Sequence, residues 1–337
     1  MVQSRPSRLF RRRPRPALAV AALTGTAVLL TGCSSGGDGQ AEAKGSGEEV
    51  TIATNLGEQS VPKAPERVAA LDNTSFATLK ALGVKPVAVP KGLLPANGFE
   101  DWAEDDSIAD VGTHREPKFE ELNAAEPDLI IGGYRFGDHQ DQLAKIADTI
   151  DVAPSDDAES GYVESLKTQT ETLGKIFGKE EQAADIVEAL DTAEQAAVDA
   201  TDGESVFLGV VTAGKVDNGA SRIGRLAEPL NLKNVLGGEG QEDTSVHNDS
   251  GLAPETIAQL NPDWMILMDR DAAVAEEGQE TTAAKTLVEG QEAWKNTTFR
   301  EKNQVIYLPA DFYVTEGAQA YTNAFQEVAD AFEKAAA

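Results

Sequence analysis

Arg135 and Arg270 occupy the same place in two copies of one pattern. The first copy, FEELNAAEPDLIIGGYR, covers residues 119–135, and the second, PETIAQLNPDWMILMDR, covers residues 254–270. Shifted by 135 residues, Glu120 falls on Glu255, Leu122 on Ile257, Pro127-Asp128 on Pro262-Asp263, Ile131 on Ile266 and Arg135 on Arg270. Pro-Asp is ordinary punctuation between a helix and a strand, but it does not demand an arginine beyond each strand. A guanidinium stays protonated, offers a planar fork of donors and stacks on aromatic faces, so converging arginines are chemistry for an anion. The setting sharpens this, because the formal net charge is −28. An anionic ligand can bind such a chain only where positive charge is concentrated locally. The same acidity excludes a nucleic-acid footprint.

Catalytic signatures are missing. The sequence holds no HExxH, CxxC, GxSxG or Walker loop, the usual marks of a zinc, redox, acyl-transfer or phosphoryl-transfer centre. No spacing pairs two of its many carboxylates for glycoside cleavage. A binding protein is expected, not an enzyme.

The elements that position the arginines are legible around residues 179–200, KEEQAADIVEALDTAEQAAVDA. This run lacks Gly and Pro, is rich in good helix formers, and sets Ile186, Val187, Leu190, Ala193, Ala197 and Val198 at helical spacing. Gly178 stops the pattern before it and Asp202-Gly203 after it. One long helix between two similar halves predicts a strut joining two lobes. In the first lobe, residues 50–178, strands are expected at 50–54, 68–71 and 87–89 and in the repeat, with helices at 75–82, 139–147 and 161–177. In the second, residues 201–337, strands are expected at 206–211, 233–236, in the repeat and at 304–308, a loop at 214–221, and helices at 222–230, 281–289 and 319–331. Alternating strands and helices make each lobe a doubly wound, mostly parallel α/β sheet. Ligands collect at the carboxyl ends of such strands, so Arg135 and Arg270 should face a cleft between the lobes.

Residues 1–32 are a targeting segment. Six arginines precede an apolar run from 17 to 30, the basic and apolar parts of a secretory signal. The junction Leu30-Thr31-Gly32-Cys33 resembles a bacterial lipoprotein signal, which implies cleavage before Cys33 and lipid on its sulfur. Cys33 is the single cysteine, so intrachain disulfides and thiolate metal cages are excluded. The small polar residues that follow, to residue 49, read as a flexible tether.

Four stretches carry a wider resemblance: VGTHREPKFEELNAAEPDLIIGGYR, LGKIFGKEEQA, NGASRIGRLAEPLNLKNVLGG and VIYLPADFYV. The mature chain resembles the substrate-binding lipoproteins of bacterial ABC importers. Within them it resembles the helix-hinged (class III) group, in its catecholate-siderophore-binding subfamily. The resemblance implies a basic cup of three arginines for a ferric siderophore, matching Arg135, Arg222 and Arg270. It implies His247 and Tyr313 as further cleft residues that complete the iron shell when a siderophore supplies only four donors. It implies that Glu120 and Glu255, each early in a short helix, dock on an ABC permease dimer driven by its ATPase. No intrinsic cofactor is implied, and the protein is expected to act as a monomer on the outer face of the cell membrane. The same fold in other groups takes ferric hydroxamates, haem or cobalamin. Hydroxamate complexes are nearly neutral or cationic and would not need three arginines.

Overall fold

The computed structural model describes residues 48–155, 160–236, 252–275 and 281–337. Cys33, the expected lipid position, and the candidate iron ligand His247 lie outside them. The run without glycine or proline forms a helix over Glu180–Ala200. The helix before it, Tyr162–Phe177, ends at Gly178 in the left-handed conformation (φ 63°), whose N–H returns to the Gly174 carbonyl. Only glycine takes that turn without steric cost.

The chain opens with an antiparallel hairpin, β1 (Glu49–Thr54) and β2 (Gly57–Pro62). The 50–54 strand was expected within the first lobe's sheet, but it stands apart from it. Only Ile52 and Val61 of the hairpin are buried, and a central parallel strand needs apolar residues on both faces. The first sheet contains β3 (Val68–Ala70), β4 (Ala88–Val89) and β5 (Ala109–Asp110), which a small hairpin follows, β6 (Gly112–Thr113) with β7 (Glu116–Pro117). It is completed by β8 (Leu129–Gly132) and β9 (Thr149–Asp151), in the parallel order β5-β4-β3-β8-β9. Every residue of β3 and β8 is buried.

The second sheet contains β10 (Ser205–Thr212), β11 (Lys215–Asn218), β12 (Lys233–Asn234), β13 (Trp264–Asp269) and β14 (Val305–Tyr307), in the order β11-β10-β13-β14 with β12 also on β10. All its pairs are parallel except β10 with β11. The expected loop at 214–221 is therefore half strand. Ala213 and Gly214, both at positive φ (49° and 70°), make a two-residue turn of the kind whose twist suits a hairpin. The helix that follows starts earlier than expected, over Ala220–Ala227.

The Pro-Asp pairs do the same work in both lobes. Asp128 accepts from the backbone N–H of Glu66 and Arg67 at 2.9 and 3.0 Å. Asp263 accepts from the N–H and hydroxyl of Ser205 at 3.0 and 2.6 Å. Each aspartate thus fixes the start of the neighbouring strand, β3 or β10, satisfying donors that the ladder leaves open.

Two helices tie the lobes together. In Tyr162–Phe177, residues Tyr162, Val163 and Leu166 join the second lobe's core, whereas Leu173, Ile176 and Phe177 join the first lobe's. The Glu180–Ala200 helix reverses the order, with Ala183 in the first core and Leu190, Ala193 and Ala197 in the second. Beneath the cleft the lobes also touch directly. The Asn73 amide donates to the Val314 carbonyl at 2.5 Å, and the Thr78 hydroxyl donates to Gln319 at 3.2 Å. A Cβ on Gly317 would overlap the Thr74 carbonyl oxygen. Gly317→Ala is expected to destabilise the protein by about 1–3 kcal/mol by pushing these backbones apart, read as a lower urea midpoint.

Asp72 lies fully buried in this floor and accepts from the N–H and hydroxyl of Thr74 and the amide of Gln169, at 2.9, 2.7 and 2.8 Å. Burial pushes its carboxyl up from an ordinary value near 3.8 to about 7 despite those bonds. The folded state thus holds this proton more tightly than the unfolded chain. Stability from this group is complete below about pH 4 and is lost as pH rises through about 7. Asp72→Asn is expected to shrink the difference in unfolding free energy between pH 5 and pH 8.

Candidate functional site

Both repeat arginines sit at the carboxyl ends of central strands. β8 ends at Gly132, and Arg135 lies in the 3-10 turn Tyr134–His139 that follows. β13 ends at Asp269, and Arg270 opens the short helix Arg270–Ala273. Strand order reverses beside each of them, between β3 and β8 and between β10 and β13, the place where open α/β sheets leave a crevice. The Arg270 guanidinium reaches across that gap to the Thr212 hydroxyl at the end of β10, at 3.4 Å.

Tyr313 joins the arginines. It lies in the short helix Phe312–Thr315 and is 5% exposed. The guanidinium carbons of Arg222, Arg270 and Arg135 stand 4.8, 5.8 and 5.9 Å from its ring centroid, within cation–π range. The Arg270 Nε donates to its hydroxyl at 3.3 Å. Three arginines distant in sequence thus surround one aromatic ring, Arg135 from the first lobe and Arg222 and Arg270 from the second.

Four further residues complete the arrangement. Glu316, entirely buried, accepts from Arg222 Nη1 at 2.8 Å and from the Tyr134 hydroxyl of the opposite lobe. Arg225 lies 3.9 Å from Glu316, donates to the Tyr134 hydroxyl at 3.3 Å, and stacks 4.5 Å over the Tyr162 ring. The Tyr162 hydroxyl donates to the Glu316 carbonyl at 3.0 Å. Burial opposes the charge on Arg222, but Glu316, Tyr134 and Tyr313 outweigh it and raise its pKa. The Tyr134 hydroxyl is pushed up to about 12 by burial and by Glu316, so it remains a donor. The sequence carries a faint signal for Arg225 alone: it lies three residues after Arg222 in the helix Ala220–Ala227, so a helical turn brings it onto the same face.

His114 lies close enough to Arg135 to feel its charge. Burial and the positive charges of Arg135 and Arg115 lower its pKa. His139 stands at the start of the helix Gln140–Leu143, where its Nε2 meets the His114 carbonyl at 2.7 Å. Among the described residues, no group of three or more His, Cys, Asp or Glu could hold a metal ion. Glu120 and Glu255 occupy the first turns of Phe119–Ala124 and Pro254–Leu260, and both side chains are exposed.

Two α/β lobes bridged by helices bring arginines from both of them around Tyr313, where their strands end. The periplasmic binding protein family matches residues 68–312, and the chain belongs to that family, whose members bind transported substrates and are not enzymes. The petrobactin-binding protein YclQ of Bacillus subtilis is 32% identical over 331 residues, which is 92% of this chain and 96% of YclQ. The ferric-anguibactin-binding protein FatB of Vibrio anguillarum is 27% identical over 311 residues, 89% of this chain and 92% of FatB. The catecholate-siderophore-binding protein VctP of Vibrio cholerae superposes with a TM-score of 0.71 at 26% identity, covering 83% of this chain and 99% of VctP.

Proposed function

We propose that this protein captures a ferric siderophore of the catecholate type between its lobes and delivers it to an ABC permease outside the cytoplasm. The observation that carries this reading is the gathering of Arg135, Arg222 and Arg270 around Tyr313. A ferric tris-catecholate spreads a charge of about −3 over six hard oxygens. Three guanidiniums meet that charge with forked donors and stack on catechol rings. The cleft strengthens each pair several-fold over bulk water. Relatives named for petrobactin, ferric anguibactin and catecholate siderophores support the same ligand class. Tyr313 supplies a phenol oxygen suited to Fe(III) where a siderophore leaves coordination sites open, with His247 as the second donor. Cys33 carries the lipid that holds the protein to the membrane. Among the described residues no helix is long and apolar enough to cross one. Glu120 and Glu255 face the permease, and the protein acts as a monomer.

The test is a titration of residues 46–337, which form one compact unit, followed by quenching of tryptophan fluorescence. Tight binding of a ferric tris-catecholate over a neutral ferric hydroxamate is expected. The reverse preference would keep the importer role and remove the catecholate assignment.

A further inference from the structure

The three cleft arginines are not held alike. Arg222 is bonded to the buried Glu316 carboxylate at 2.8 Å. Arg270 reaches the Tyr313 hydroxyl at 3.3 Å and the Thr212 hydroxyl at 3.4 Å, and lies 3.9 Å from Asp271. Among the described residues no hydrogen bond or ion pair holds the Arg135 guanidinium; it meets the rings of Tyr134 and Tyr313, each with its centroid 5.9 Å away. A long side chain so loosely held loses rotamer freedom when a ligand fixes it, so the place of Arg135 depends on what fixes its neighbours. Phe136, 1% exposed, is sunk in the first lobe's core, and its N–H closes a turn on the Gly133 carbonyl at 2.8 Å. Tyr134 is fixed from the other side. Its hydroxyl donates to the same Glu316 oxygen that binds Arg222, and accepts from Arg225 at 3.3 Å. Its backbone is left-handed (φ 45°), and so is that of Glu316 (φ 47°). Residues other than glycine resist that conformation, and it persists where the surroundings impose it, as at ligand clamps.

We infer that Tyr134 is a positioning residue for the ligand: bonded to Glu316 across the cleft and in ring contact with Arg135, it fixes the first lobe's arginine relative to Arg222. The inference rests on the proposed reading of the cleft as a ferric-catecholate site. One carboxylate oxygen joins the two arms of the cup, with Arg222 itself on one side and the residue next to Arg135 on the other. Tyr134 acts through Arg135, by removing in advance the freedom that Arg135 would otherwise lose on binding.

The test is a double-mutant cycle on the compact unit, titrated with a ferric tris-catecholate. Tyr134→Phe removes the hydroxyl and keeps the ring, and is expected to weaken binding roughly five- to tenfold. In an Arg135→Ala background the same change is expected to cost less than about twofold, because the group it positions is gone. In an Arg270→Ala background the full loss should persist. A merely structural role would give the same loss in all three backgrounds, and that result would overturn the inference. So would a Tyr134→Phe protein that binds as tightly as the unaltered one. Tyr134→Leu removes the ring as well and is expected to lose more, again only where Arg135 is present. If Tyr134→Phe does not fold, a Tyr134→Leu loss that is independent of Arg135 overturns the inference. Each of these results leaves the catecholate reading standing. An unaltered protein that does not bind the ferric tris-catecholate would overturn that reading, and the inference with it.

Discussion

Arg222→Ala is expected to lose both stability and ligand. In the folded protein its side chain is 13% exposed and bonded to a fully buried carboxylate. Truncation leaves Glu316 with the Tyr134 hydroxyl and the more distant Arg225. Removing one partner of a buried ion pair typically costs 3–5 kcal/mol, and the remaining partners reduce this to about 2–3 kcal/mol. Affinity for a ferric tris-catecholate should fall by about 100-fold, since a desolvated guanidinium contact of this kind contributes several kcal/mol. The double variant Arg222→Ala with Glu316→Gln separates the two losses. It is expected to regain most of the stability, because no buried charge is stranded, but not the affinity. Urea unfolding and titration of the three proteins check this. A single variant as stable as the unaltered protein would show that Glu316 does not depend on Arg222.

Reversing both exposed glutamates, Glu120→Lys with Glu255→Lys, is expected to abolish iron uptake by cells and to leave ligand affinity within about twofold. Both sit in the first turns of helices that precede β8 and β13. A carboxylate there gains only a few tenths of a kcal/mol from the helix dipole, so folding should survive the change. Two like-charged side chains in repeat-related places suit a partner that itself has two equivalent halves. The check pairs siderophore-dependent growth with titration of the purified variant. Lost affinity, or normal uptake, would remove the docking role.

The sequence exposed those parts of the site that repeat. Arg135 and Arg270 stood out because each follows an apolar strand at the same offset, and the structure places both at strand ends beside a reversal of strand order. Arg222 had no such symmetry and was legible only through resemblance, because its meaning depends on a helix folding back over Tyr313. Glu316 was not legible. Among the many acids of this chain a carboxylate carries no signal, and only the meeting of the lobes buries it against Arg222 and Tyr134. The long helix over Glu180–Ala200 was read to within a residue, since composition and flanking glycines act locally. The sharing of Tyr162–Phe177 between two cores was hidden, because an apolar face does not state which lobe it meets. The strand Lys215–Asn218 was masked by a turn that lacks the usual Asn-Gly signal and uses Ala213-Gly214 instead.

The most direct measurement is a crystal structure of the compact unit soaked with a ferric tris-catecholate. The complex is expected over Tyr313, with guanidinium nitrogens of Arg135, Arg222 and Arg270 each within about 3 Å of catecholate oxygens. A complex bound elsewhere, or one in the cleft with the three arginines turned away from it, would contradict the claim that these arginines form the binding site.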